Sequence, residues 1–126
     1  MEKAQFFICK HCGNVAALAV NKGGALACCG ETMRELAPNT VEASKEKHLP
    51  VVEESGKGIK VKIGSAPHPM TEEHYIDFIY VKTERGGQRI ELGAGKDPEA
   101  ELCFADDKPT EVYAYCNLHG LWKTDV

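Results

Sequence analysis

Four cysteines within the first thirty residues constrain this chain more than any other feature. Cys9 and Cys12 bracket a C-x-x-C turn, and Cys28 and Cys29 are neighbours. A C-x-x-C loop aims two sulfurs at one metal, and a second pair completes a tetrahedron of soft thiolates suited to zinc or iron. Consecutive Cα atoms lie about 3.8 Å apart, short of the usual disulfide span. Cys28 and Cys29 therefore read as two ligands of one metal, with an opened sulfur–metal–sulfur angle between them. A stretch of about 37 residues seldom buries enough apolar surface to fold unaided, and a disulfide set or a metal makes up the shortfall. The spacing alone suits a structural zinc knot as well as an iron centre. His11, inside the loop, is expected to be an exposed bystander, because four sulfurs already fill a tetrahedron.

The remainder of the chain has a different character. Every histidine except His11 lies beyond residue 45, so two domains are expected, residues 1–37 and 38–126. The boundary falls near Ala37-Pro38-Asn39-Thr40, where proline disfavours helix before it and asparagine suits a turn. In the first domain, residues 6–8, 15–18 and 25–27 read as strands, with turns at Gly13, Gly23-Gly24 and Gly30. In the second, Lys60 and Lys62 alternate with Ile59, Val61 and Ile63, the mark of a half-buried strand. Further strands are expected at 48–53, 74–84, 88–92, 101–105, 111–117 and 121–124, separated by Ser55-Gly56, Gly86-Gly87 and Asp106-Asp107-Lys108-Pro109. The fold class is mostly β: a small metal-stapled domain followed by a seven-stranded antiparallel β-sandwich.

Net charge of −4 argues against a general nucleic-acid binder, which needs a cationic face. No apolar run approaches the roughly 20 residues that span a bilayer. The start of the chain lacks a long apolar stretch with a small-residue cleavage site, so a cytoplasmic location is expected. Clustered thiols in a reducing compartment point to metal or catalysis, not disulfides.

His48, His68, His74, Cys116 and His119 are the candidates for a second site. Imidazole suits iron, copper, zinc and nickel, and one thiolate adds a soft, electron-donating ligand. Cys116-Asn117-Leu118-His119 puts a sulfur and an imidazole on one turn, and His68 is flanked by Pro67 and Pro69, which stiffen its loop. Singly, each histidine is more often an ordinary surface or core residue. A blue-copper site also combines histidines and one cysteine on a β-sandwich, but it adds a methionine after the last histidine. None follows His119. Cys103 reads as a small residue packed within a strand.

Taken together, Cys9-x-x-Cys12 with Cys28-Cys29, the run Glu46-Lys47-His48-Leu49-Pro50, His68-Pro69-Met70, His74 and Cys116-Asn117-Leu118-His119-Gly120 resemble the desulfoferrodoxins, the two-iron superoxide reductases. The resemblance spans nearly the whole chain. It implies a desulforedoxin-like or rubredoxin-like first domain and an immunoglobulin-like second one. It implies one iron at Cys9, Cys12, Cys28 and Cys29, and a second held by four equatorial imidazoles, His48, His68, His74 and His119, with Cys116 as axial sulfur. It further implies reduction of superoxide to hydrogen peroxide without oxygen release, rubredoxin as electron donor, and a homodimer. On this view Lys47 steers and holds the anion, and Glu46 is a hard oxygen ligand for the oxidised iron. Their ordinary alternatives are a solvated lysine and an exposed carboxylate. A non-catalytic electron carrier, or a zinc-stapled binding module, are the competing functions.

Overall fold

The computed structural model describes residues 4–126, which fall into two compact units, one running to Ala37 and the other Pro38–Val126. Each is mostly β.

The first unit contains β1 (Phe6–Ile8), β2 (Val15–Ala17), β3 (Ala27–Cys28), β4 (Glu31–Thr32) and β5 (Arg34–Glu35). Strands β2, β1 and β5 form an antiparallel sheet in that order, with Phe7 opposite both Ala16 and Glu35. Strands β3 and β4 form a separate hairpin. The expected strand at 25–27 is only its last residue, Ala27, continuing into Cys28. The two-residue strands β4 and β5 carry no periodic signal that sequence could have revealed.

In the second unit, α1 (Lys45–His48) precedes seven strands: β6 (Pro50–Ser55), β7 (Gly58–Ile63), β8 (Ile76–Thr83), β9 (Gly87–Glu91), β10 (Glu99–Cys103), β11 (Pro109–Cys116) and β12 (Gly120–Asp125). They form two antiparallel sheets, β10-β7-β6 and β12-β11-β8-β9. Alternation dictates which side chains face the interior. Ile59, Val61 and Ile63 of β7, Leu102 of β10, Ile79 and Val81 of β8, and Val112, Ala114 and Cys116 of β11 form one buried cluster. Each fully buried aliphatic side chain contributes about 1.5–3 kcal/mol through apolar area removed from water.

Two departures from the expected strands matter for the site. Histidine 48 does not begin a strand; it ends the single turn α1, and β6 starts at Pro50. Leu49 precedes a proline and is extended, with φ −68° and ψ 126°, which stops the helix. Likewise His74 lies before β8, which begins at Ile76. A register shift separates Tyr115 opposite Phe78 from Cys116 opposite Ile76, so Asp77 is an extra residue, a β-bulge. The bulge restores Ile76 to the core side beside Cys116.

Cys103 is exposed, not packed. In β10 the alternation assigns the core side to Leu102, 3% exposed, and turns its neighbour outward.

Candidate metal centres

The cysteine cluster is made by two tight turns. After β1, Gly13 N–H bonds to the Cys9 carbonyl at 3.0 Å and Cys9 N–H to the Asn14 carbonyl at 2.9 Å, closing the C-x-x-C loop; Gly13 has φ 81°. The β3–β4 hairpin has a two-residue connection, Cys29-Gly30, with φ 52° and 77°. Positive φ at both central residues is what a type I′ turn demands. A cysteine rarely adopts this conformation, and its presence here has a reason: it turns the Cys29 sulfur to the same side as that of Cys28. The sulfur of Cys12 lies 3.6 Å from that of Cys28, which is 3.9 Å from that of Cys29. All four sulfurs fall within 4.8 Å of one another. Metal–sulfur bonds of about 2.3 Å give a tetrahedron with edges of roughly 3.8 Å, so the observed separations fit one tetrahedral ion. Backbone N–H groups of Cys12 and then His11 aim at the Cys9 sulfur and lower its pKa to about 6 against the effect of burial. Crowding by the Cys9 and Cys12 sulfurs pushes Cys28 up to about 12. Without a cation, these thiols oppose joint ionisation; a cation reverses that. His11 is exposed and pairs with Glu31 at 3.2 Å, away from a ligand role.

The histidine cluster draws on four separate segments. His48 comes from α1, His68 from the loop after β7, His74 from the segment before β8, and Cys116 and His119 from the end of β11 and the β11–β12 connection that follows it. That connection has three residues, and Gly120 at φ 78° takes the left-handed position such hairpins require. The ring centroids trace a square: His48–His68 4.7 Å, His68–His74 4.6 Å, His74–His119 5.0 Å and His119–His48 4.9 Å, with the His48–His74 diagonal at 6.3 Å. Four rings on a tetrahedron would be equidistant; these are not. Neighbouring rings are close to perpendicular, so all four stand like vanes about one axis. Cys116 Sγ lies 3.9 Å from His119 Nδ1 and within 4.8 Å of the ligand atoms of the other three histidines.

The nitrogen chemistry identifies what the square is built for. Nδ1 of His48 donates to the Ser44 carbonyl at 2.6 Å and Nδ1 of His68 to that of Pro69 at 2.7 Å. Their Nε2 atoms are then bare lone pairs, yet they face each other at 3.2 Å. His119 Nδ1 approaches His48 Nε2 at 3.2 Å as well. Metal–nitrogen bonds of about 2.1 Å set adjacent corners of a square about 3.0 Å apart. His74 Nε2 is buried and has no hydrogen-bond partner. An orphaned buried nitrogen beside converging lone pairs is the signature of a cation site. Burial, reinforced by the neighbouring imidazoles, lowers the pKa of His48 and His74 and takes His68 to about 4. The imidazoles of His48, His68 and His74 are therefore neutral and ready to ligate. Burial raises the Cys116 thiol, while the N–H groups of Leu118 and His119 favour its thiolate.

Two residues that sequence did not single out hold this geometry. Trp122, 1% exposed, stacks on the His48 ring at 4.8 Å and donates from Nε1 to the His119 carbonyl at 3.1 Å. Asn117 accepts from Tyr75 N–H at 2.9 Å and donates to the Glu73 carbonyl at 3.0 Å, bracketing His74. A lone tryptophan three residues after His119 and an asparagine inside the Cys-x-x-His turn were the available signals. Lys47 is exposed on α1, and its charge reaches His48 and His74, helping to lower both. Glu46 is also exposed; it borders a groove with Lys45, Leu49 and Pro50 that none of the four imidazoles borders.

Comparison with known proteins agrees over the whole length. Residues 1–36 match the family described as the desulfoferrodoxin N-terminal domain, and residues 40–125 match Desulfoferrodoxin. A desulfoferrodoxin of Syntrophotalea carbinolica is 44% identical over 125 residues, covering 98% of each chain. Another, from Nitratidesulfovibrio vulgaris, is 41% identical over 122 residues, covering 97% of this chain and 96% of that one. The crystal structure of the superoxide reductase from Treponema pallidum superposes with a TM-score of 0.83 at 40% identity, covering 98% of this chain and all of that one.

Proposed function

This chain belongs to the desulfoferrodoxin family, and we propose on that basis that it is a superoxide reductase. One superoxide, one electron and two protons yield one hydrogen peroxide, with no oxygen formed. The observation that carries this is the square of four inward-facing imidazoles with the Cys116 sulfur beside it. Cys9, Cys12, Cys28 and Cys29 would hold one iron, and His48, His68, His74, His119 and Cys116, which the fold brings together, would hold the other. Bound there, ferrous iron would supply the electron and a Lewis-acidic position for a small anion.

The chain's own residues supply the rest. The Ser44 and Pro69 carbonyls fix the tautomers of His48 and His68 and orient their rings. Cys116 donates electron density, a role thiolates also play in haem enzymes. The N–H groups of Leu118 and His119 temper that donation by hydrogen bonding to the sulfur. Lys47 is the anion guide: a lysine beside a cationic centre focuses positive potential and raises encounter rates. It also orders water that delivers protons. Glu46, one residue away, is proposed as the carboxylate that caps the oxidised centre, a role that requires movement of the α1 turn. We further propose a homodimer, a small one-electron donor such as rubredoxin, electron relay or storage at the cysteine centre, and a cytoplasmic location. No helix among the described residues is long and apolar enough to cross a membrane.

The test uses the iron-loaded chain with excess reductant and a steady superoxide source. One peroxide per superoxide without oxygen evolution is expected. Oxygen release at half that peroxide yield marks dismutation and sinks the reading, as does unchanged superoxide decay.

A further inference from the structure

The turn that carries Lys47 cannot hold itself in place. It has four residues, and Ser44 at its start makes no capping hydrogen bond through its side chain. So short a helix is unstable alone. Beyond the contacts of the His48 ring, its backbone is fixed by the loop after β7. The Ala66 N–H donates to the Glu46 carbonyl at 3.0 Å, and the Ser65 hydroxyl donates to the same oxygen at 3.3 Å. Gly64 lies against the same peptide. A Cβ placed on Gly64 would stand 2.8 Å from the Glu46 carbonyl carbon and 2.7 Å from that of Lys47, and closer still to the Glu46 oxygen. These are backbone atoms, which cannot swing aside as a side-chain tip does. Gly64 is not among the positive-φ glycines. Its lack of a side chain therefore answers a need for space, not for an unusual backbone angle. The far end of the loop is equally tied: His68 N–H donates to the Ile63 carbonyl at 3.0 Å.

We propose that residues 64–66 form a cradle for the Glu46-Lys47 peptide, and that Gly64 is a positioning residue which sets where the Lys47 ammonium stands beside the imidazoles, and hence how fast the anion is captured. The cradle joins the loop bearing His68 to the turn bearing His48 and Lys47. Any side chain at position 64 forces that peptide outward and carries the Lys47 stem with it. This rests on the role of Lys47 given above.

The experiment measures the second-order rate of superoxide consumption at low and high salt for Lys47→Ala, Gly64→Ala and the double variant, each as the iron-loaded full chain. Iron content and visible spectrum are recorded for each. Lys47→Ala should slow capture about tenfold at low salt and flatten the salt dependence. Gly64→Ala should keep both irons, slow capture in the same direction with a flatter salt slope, and add nothing to Lys47→Ala in the double variant. A wild-type rate for Lys47→Ala removes the role of Lys47 and the cradle with it. A slowed Lys47→Ala beside a Gly64→Ala of wild-type rate and salt slope overturns the cradle alone, as does a double variant slower than Lys47→Ala. Should Gly64→Ala lose iron, Ser65→Ala decides: a loss of about threefold that vanishes in the Lys47→Ala background supports the cradle, and a wild-type rate overturns it.

Discussion

In the unit ending at Ala37, four sulfurs come from two local turns, and only Phe6 and Cys9 are buried among its described residues. In Pro38–Val126, five ligands come from four segments and are hung on a sandwich whose interior is filled with Ile, Val and Leu. The first unit has its metal in place of a core. The second has a core of its own, and its ligands are held before any metal arrives, by the Ser44 and Pro69 carbonyls, the Trp122 stack and the Asn117 bracket. Local turns make a cheap site that folds with its ion; a long-range site needs a scaffold but can exclude and admit ligands without unfolding.

The largest effect should come from removing metal altogether. Chelation under reducing conditions should strip amide-exchange protection from Phe7 and Ala16 while Val61 and Ile79 keep theirs. Retained protection at Phe7 would break the contrast, because the first unit would then have a core that its burial pattern does not show. Next in size are ligand replacements in the second unit. Cys116→Ser or His68→Ala should reduce superoxide turnover by more than the roughly 10–100-fold that loss of an outer partner costs a metal site. Iron should fall to one per chain, with the spectrum of the cysteine centre unchanged. A concurrent loss of both irons would show that the two units are not independent.

The same contrast explains what sequence could disclose. The cysteine site was legible because its ligands sit within turns, where spacing reports geometry directly: a C-x-x-C loop and an adjacent pair need no knowledge of topology. That Cys29 would require a left-handed backbone was not legible, since nothing in its identity marks φ. The histidine site is another matter. Nothing in the spacing of His48, His68, His74 and His119 requires them to meet; only the pairing of β11 with β8 and β12 brings the last two segments together. Resemblance to a family supplied what spacing could not. The strand at 59–63 followed from alternation and the others from the turn signals between them; alternation could also have placed Cys103, since Leu102 has the stronger claim on the core. Only His48, the last residue of α1, differs from the strand expected at 48–53, because the Leu49-Pro50 step ends the turn and β6 begins at Pro50.

A smaller effect tests whether the sandwich is stable on its own account. Ile79 is fully buried at the centre of β8. Ile79→Ala should lower the unfolding free energy of the second unit by about 3 kcal/mol through lost transfer energy and a residual cavity. Thermal unfolding of the metal-free chain measures it. A loss below about 1 kcal/mol would mean that the core is collapsible, and that metal matters more to this unit than its packing indicates.

The smallest effect concerns the loop between β10 and β11, which contributes no side chain to either cluster. Asp107 accepts from the hydroxyl of buried Thr83 at 2.6 Å and from the N–H groups of Arg85 at 3.0 Å and Lys108 at 2.9 Å. The Thr83 hydroxyl first, then the two N–H groups, hold its pKa below the ordinary 3.8. The sign follows from proton counting. Unfolded chains take up a proton on this carboxylate at a higher pH than folded ones, so the stabilisation is complete above about pH 4 and is lost as pH falls through the lower, folded value. Asp107→Asn should therefore lower the melting temperature of the second unit slightly at neutral pH, and the gap to wild type should narrow in acid. Both metal spectra should stay unchanged at neutral pH. A gap that persists undiminished in acid would assign the loss to the geometry of the turn and not to the charge. A changed histidine-centre spectrum would tie this loop to the site, against the division between scaffold and ligands drawn above.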